Sequence, residues 1–215
     1  MGRDGFYGIF LDLETTGLSV RSHRVLEIAL SIYRLFPFEH IGTYEQCISQ
    51  PREVWEQSDP KSLKVNGLNE KVHRGLPEPE VAQQIVSFLE RHQLNRSNSV
   101  FICQNPSFDR MFFDQLIPSE RQEEMQWPYH WLDLASMFFA KQQGLAQSNE
   151  SVPQPWQVGL SKNDIASHHL VAPEHCPHRA SGGMLHLVHV YKVLFCLDRK
   201  EAQQNRREIH SSSTG

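Results

Sequence analysis

The sequence has no uninterrupted apolar stretch approaching the ~18 residues that a membrane-spanning helix needs, so no span is expected. Its start, Met1-Gly2-Arg3-Asp4-Gly5-Phe6, lacks the apolar core of a secretory leader and the Ser or Thr that a myristoylation motif wants at position 6. Cysteine is scarce. Cys47, Cys103, Cys176 and Cys196 form no C-x-x-C pair, which predicts reduced thiols rather than a disulfide framework. These absences together predict a soluble cytoplasmic protein. A basic surplus is missing as well. A net charge of −4 excludes the broad positive field of a protein that coats duplex nucleic acid, but not an enzyme that grips a few nucleotides in a cleft. Internal repeats and linkers are also absent. The chain therefore reads as one domain over residues 1–198, with 39% hydrophobic residues to build its core. A polar tail over 199–215 has too few apolar residues to fold and is expected to be disordered.

What is present is organised around Ile9-Phe10-Leu11-Asp12-Leu13-Glu14-Thr15-Thr16-Gly17-Leu18, an apolar run ending in two acids and a polar turn. Apolar runs of this kind predict a strand, and residues i and i+2 of a strand share a face. Asp12 and Glu14 would therefore stand side by side at one strand end. Adjacent like charges are costly, and a bound cation offsets the repulsion; hard oxygen ligands suit Mg²⁺ or Mn²⁺. The competing reading is a pair of solvated acids, the usual fate of charged residues.

Strands are predicted over Phe6–Leu13, Val25–Phe36 and Thr43–Ile48, and their short connections imply an antiparallel meander. A short helix is expected at Pro60–Val65 in an otherwise irregular Pro51–Asn69. Helical spacing of Val81, Ile85, Phe88 and Leu89 predicts a helix over Glu78–His92. A buried strand follows at Ser99–Gln104, then a helix at Ser107–Ile117 that Pro118 ends. A strand at His130–Leu132 leads to a helix at Asp133–Gln143, a loop at Gln147–Gln157, and helices at Ser161–His169 and Gly182–Leu197. The sum is an α/β domain with a mixed sheet.

Two further stretches carry chemistry. In Asn105-Pro106-Ser107-Phe108-Asp109, the acid falls in the first turn of a helix after a buried strand. That is where the helix dipole favours an acid, and also where α/β proteins gather their sites. In His178-Arg179-Ala180-Ser181-Gly182-Gly183, a histidine follows a proline-containing loop, where it can act as a general base. Taken singly it is one of 12 histidines. A rival cluster, His168, His169, His175, Cys176 and His178, has the ligand types for zinc but not the spacing of a finger.

Together the three stretches resemble the DEDDh exonuclease superfamily, which includes the proofreading subunit of bacterial DNA polymerase III, oligoribonuclease and RNase T. Phe10 to Leu18 resembles its D-x-E-x-T-G-L motif, Asn105 to Asp109 its N-x-x-F-D, and His178-Arg179-Ala180 the opening of its H-x-A-x-x-D. Weaker likenesses fill the gaps. Val25 to Ala29 resembles the family's second strand, Lys64 to Leu68 its V-H-G-I segment with Asn66 in place of His, and Trp131 to Ala135 its D-T-L-x-L-A segment. The resemblance implies a ribonuclease H-like fold, a three-strand antiparallel meander plus parallel strands flanked by helices. It implies 3′→5′ exonuclease chemistry releasing nucleoside monophosphates from single-stranded DNA or RNA ends. Asp12, Glu14 and Asp109 would hold one or two Mg²⁺ or Mn²⁺ ions, and His178 would be the general base. Thr15, Thr16, Leu18 and Asn105 would contact the 3′ end, with Leu18 packed on the terminal base; Phe108 reads as core packing. A homodimer and a polymerase partner are further expectations that the resemblance brings.

One departure stands out. Where the third motif closes with a metal-holding aspartate, this chain has Gly183, and no acid lies between Arg179 and Leu197. Losing such a ligand should cost at least ~10–100-fold in metal affinity or activity. That motivates a second reading, a weakened exonuclease-fold protein that binds nucleic acid or a protein partner, and a third in which Gly183 is an engineered change. His186, one turn further on, or a water are candidates to take the missing place.

Overall fold

The computed structural model describes residues 5–197; the expected tail at 199–215 lies outside the described residues. Strand β1 (Tyr7–Thr15) pairs antiparallel with β2 (Val25–Leu35), and β2 with β3 (Phe38–Cys47), which is the expected meander. Helices α1 (Arg52–Glu56), α2 (Pro60–Asn66) and α3 (Glu78–Arg91) then carry the chain across to β4 (Ser99–Cys103). This strand runs parallel to β1. Helices α4 (Pro106–Leu116) and α5 (Ser119–Glu124) cross to β5 (Trp131–Asp133), parallel to β4. The chain closes with α6 (Leu134–Ser148), α7 (Pro155–Val158), α8 (Lys162–His168) and α9 (Ala180–Leu194). The sheet order is β3-β2-β1-β4-β5, a mixed sheet with β1 at its centre.

Alternation along β1 builds two cores. Ile9, Leu11 and Leu13 face α3 and α4, against Val81, Ile85, Phe112 and Phe113. Phe10 faces the other layer, with Phe138, Ile165, Met184 and Leu187 of α6, α8 and α9. Burial of these side chains contributes about 1.5–3 kcal/mol each relative to exposure. Asp12 and Glu14 share the parity of Phe10, so they continue its face beyond the core, at the carboxyl end of the strand.

Some boundaries differ from expectation. β3 begins at Phe38 rather than Thr43, because an edge strand keeps its backbone ladder to β2 while Glu39 and His40 stay exposed. α1 and α5 bury no residue and leave no apolar stripe to read. α6 continues to Ser148, and the expected loop after it contains α7. The last helix starts two residues early, at Ala180, because the Glu27 carboxylate accepts the Ala180 N–H at 3.2 Å and supplies a cap from another strand.

Candidate active site

Three segments of the chain meet beyond the carboxyl ends of β1 and β4. The turn between β4 and α4 is held from β5. Asn105, left-handed at φ 57°, donates its N–H to Asp133 Oδ1 at 3.0 Å, and the same carboxylate caps α6 through the Ala135 and Ser136 amides. Pro106 starts α4, and Asp109 lies in its first turn, 5% exposed. On the other side, Ser161 and Asp164 form a capping box that starts α8 at Lys162. The loop that follows α8 is tied back to it by the Glu174 N–H on Asn163 Oδ1 at 2.9 Å, and His178 is fixed by its N–H to the Val65 carbonyl of α2 at 3.0 Å.

These elements line one cleft of about 290 Å³ with Asp12, Glu14, Asp109, Lys162, Glu174 and His178 on its walls. The structure thus brings together the three predicted metal acids and the predicted base. Leu18 stands at the exposed tip of the first turn, 72% accessible. Thr15 and Thr16 are buried, and their backbone is engaged: the Thr15 carbonyl accepts from Asn66 Nδ2 at 3.1 Å, while Thr16 donates to the Arg24 carbonyl and accepts from the Asp59 N–H. The His23 ring packs close over Gly17, where a Cβ would lie 2.4 Å from it. Asn105 is exposed beside the cleft. Phe108 packs on the core as expected, and it also lines the cleft.

Two residues that sequence reasoning missed complete the site. The Lys162 Nζ lies 2.8 Å from Glu174 Oε2 and 3.3 Å from Asp12 Oδ1, and donates to the Gly183 carbonyl at 3.0 Å. Both ends of this bridge are buried, with the Lys162 and Glu174 side chains 10% and 5% exposed. A lysine so placed is rarely buried unless paired, and that pattern is not visible in a linear string. His186 does not take the missing ligand's place. Its Nε2 pairs with the Ala172 carbonyl, and its Nδ1 lies behind Glu174, 4.0 Å from Oε2.

Gly183 is where the chain departs from the family pattern, and the space beside it is filled by Asp12. A Cβ at Gly183 would lie 2.2 Å from Asp12 Oδ2. Glu27, cross-strand from Glu14, holds the neighbouring Arg179 and the start of α9. Among the described residues, the one trio of His, Cys, Asp or Glu ligand atoms within 4.8 Å of one another is Glu27, Cys47 and His73. Its donors are committed: Glu27 to Arg179, Cys47 Sγ to Glu27 Oε1, and His73 Nε2 to the Ile48 carbonyl. The cleft acids stand further apart than that trio, and the histidines and cysteine around 168–178 do not assemble as a zinc site.

Electrostatics mark the cleft. Burial pushes Asp12 up to about 6, with Lys162 opposing and Glu174 adding to the rise. Burial and then repulsion from Asp12 push Glu14 to about 8, and the same two causes hold Asp109 well above the usual carboxylate range. Burial would lower Lys162, but Asp12 and Glu174 outweigh it and keep the ammonium charged. Crowded carboxylates that resist ionisation are the kind of oxygen donors that a divalent cation relieves. A pH dependence follows. Folded values raised above the unfolded ones mean that the native state holds the extra protons, so stability is lost as pH rises through the window. The melting temperature of the metal-free protein is expected to fall by roughly 5 °C between pH 5 and pH 8, measured by calorimetry, and Glu14→Gln should flatten the upper half of that fall. A melting temperature that rises with pH would contradict these shifts.

No family model matches the chain. Ribonuclease T of Histophilus somni (strain 129Pt) is 27% identical over 132 residues, which cover 59% of this chain and 59% of that protein. Among solved structures, a zinc-bound complex of E. coli ExoI with single-stranded DNA superposes with a TM-score of 0.68 at 15% identity, over 89% of this chain and 40% of that one. The cell-death related nuclease CRN-4 gives 0.65 at 12% identity, over 90% and 64%. The chain shares the fold of these nuclease structures. It spans 59% of the ribonuclease T and 40% of the ExoI chain, so it matches part of these relatives. The cleft lies where the end of β1, the first turn of α4 and the start of α8 converge, and Gly183 of α9 stands behind its wall, against Asp12. No helix among the described residues is long and apolar enough to cross a membrane.

Proposed function

We propose that this protein is a metal-dependent 3′→5′ exonuclease that releases nucleoside monophosphates from single-stranded DNA or RNA. The observation that carries this reading is the gathering of Asp12, Glu14, Asp109 and His178 on one cleft. Asp12, Glu14 and Asp109 are the residues to hold Mg²⁺ or Mn²⁺. Such an ion, when bound, supplies charge neutralisation at the phosphodiester and acidifies a coordinated water. His178 takes a proton from the attacking water, and Glu174 Oε1, 3.9 Å from its Nδ1, faces the imidazolium that results. Leu18, exposed on the turn, offers an apolar surface to the terminal base, and Phe108 a second wall. Asn105, beside the cleft, is placed to contact the terminal nucleotide, and Thr15 and Thr16 shape the turn that receives it.

A 5′-labelled single-stranded oligonucleotide, as DNA and as RNA, should shorten stepwise from its 3′ end in Mn²⁺ or Mg²⁺, and Asp12→Ala should abolish the ladder. Gly183 and the ammonium beside it favour a second reading, an exonuclease scaffold that binds the strand without cutting. Intact oligonucleotide with retained binding, in both metals, would establish that second reading in place of the first.

A further inference from the structure

We propose that the Lys162 ammonium is a built-in cation of this site, that Glu174 supplies the carboxylate Gly183 lacks, and that the protein therefore takes up one divalent ion where two would otherwise bind. This rests on the exonuclease reading for the meaning of the cleft, but not on any catalytic measurement.

In the superfamily's pattern the closing acid of the third motif would project from α9 beside Asp12. Here the Cβ of any such residue would overlap Asp12 Oδ2, so Asp12 occupies that volume itself. Charge comes next. Asp12 so placed is not left facing an empty lining. Lys162 reaches it from the first turn of α8, with a second carboxylate, Glu174, on its other side and the Gly183 carbonyl completing three oxygen partners at 2.8–3.3 Å. An ammonium with three oxygens around it is a fixed point charge that does not exchange with solvent ions. The order of the chain supports the same assignment. α8 is started by its own capping box, and the Glu174 N–H is pinned to Asn163, so donor and acceptor are set by neighbouring hydrogen bonds. The carboxylate has moved from the helix to the loop that precedes it, and the cation it serves is covalently attached. Glu14 and Asp109, which make no ion pair with Lys162, remain with Asp12 to receive a single exchangeable ion.

The test counts ions rather than turnover. The full chain is titrated with Mn²⁺, and bound ions are counted from the loss of the free-ion EPR signal, for the parent and for Lys162→Met. The parent should bind one Mn²⁺ and the variant two, with the thermal upshift on adding Mn²⁺ larger in the variant. Two ions in the parent, one in both proteins, or none in the parent would each overturn the assignment. If Lys162→Met does not fold, Lys162→Gln takes its place, and the parent count alone still decides between one ion and two. Failure of the nuclease reading has a different signature: one ion bound, two in the variant, and no shortening of any oligonucleotide.

Discussion

Asp109→Asn is expected to make the protein inactive and more stable at once. Asp109 is 5% exposed in the first turn of α4, and burial together with Asp12 holds its proton affinity well above that of an ordinary carboxyl. In the unfolded chain it ionises freely near its usual value. Folding at neutral pH must therefore either protonate it or bury a charge among other acids, and stability is lost as pH rises through that window. Asparagine has nearly the same shape and does not titrate. The metal-free variant should gain about 1–2 kcal/mol at pH 7.5, a rise in melting temperature of roughly 4 °C. Oligonucleotide shortening should fall by at least about 10–100-fold, because a carboxylate is removed from the proposed metal-holding set. Calorimetry and the end-labelled assay read the two effects separately. A variant that is less stable in metal-free buffer would show that the Asp109 carboxylate contributes structure rather than strain.

Gly183→Asp, the change that restores the superfamily's pattern, should damage the protein instead of repairing it. The new Cβ would lie 2.2 Å from Asp12 Oδ2 and 3.0 Å from Oδ1. Asp12 can swing aside, since its oxygens are the end of a side chain, but doing so gives up its 3.3 Å contact with Lys162. A further carboxylate then joins Asp12, Glu14, Asp109 and Glu174. Overpacking costs typically 1–3 kcal/mol, and the like charge adds to it, so a loss of about 2–4 kcal/mol in urea denaturation is expected. Gly183→Ala separates the contributions. It carries the steric part without the charge, offset by up to about 1 kcal/mol of helix propensity. Should Gly183→Asp prove more stable and faster than the parent, Asp12 does not own that space.

How far the sequence speaks can be judged at particular residues. The face shared by Asp12 and Glu14 was legible because strand periodicity is a property of the backbone, whatever the partner strand. Asp109 and His178 were legible through motif order, which resemblance carries and spacing alone does not. Helices with a clear apolar stripe, such as α3, were placed within a residue at the C-terminal end. α1 and α5 were not, since they bury nothing. The largest omission was Lys162 with Glu174. Along the helix that bears Gly183, His186 follows one turn on and no acid does. Glu174, the second carboxylate on Lys162, belongs to the loop before it. Proximity between α8, that loop and Asp12 is a tertiary fact, produced by α8 packing on α9 through Ile165 and Ala166, and no local pattern encodes it.

The alternation of β1 has a consequence for how the chain avoids folding wrongly. Ile9, Leu11 and Leu13 point into one core, and Asp12 and Glu14 point the other way, toward the cleft. Slipping β1 by one residue against β2 would exchange the faces, because side chains alternate with a period of two. Both acids would then be driven into the apolar layer under α3 and α4, each unpaired and far from Lys162. Burying an uncompensated carboxylate costs several kcal/mol, comparable to a large share of a domain's net stability. The acid pair on the central strand thus also penalises its misregistered pairing, so loss of both acids should leave a protein that folds to a stable sheet with less certainty about which one.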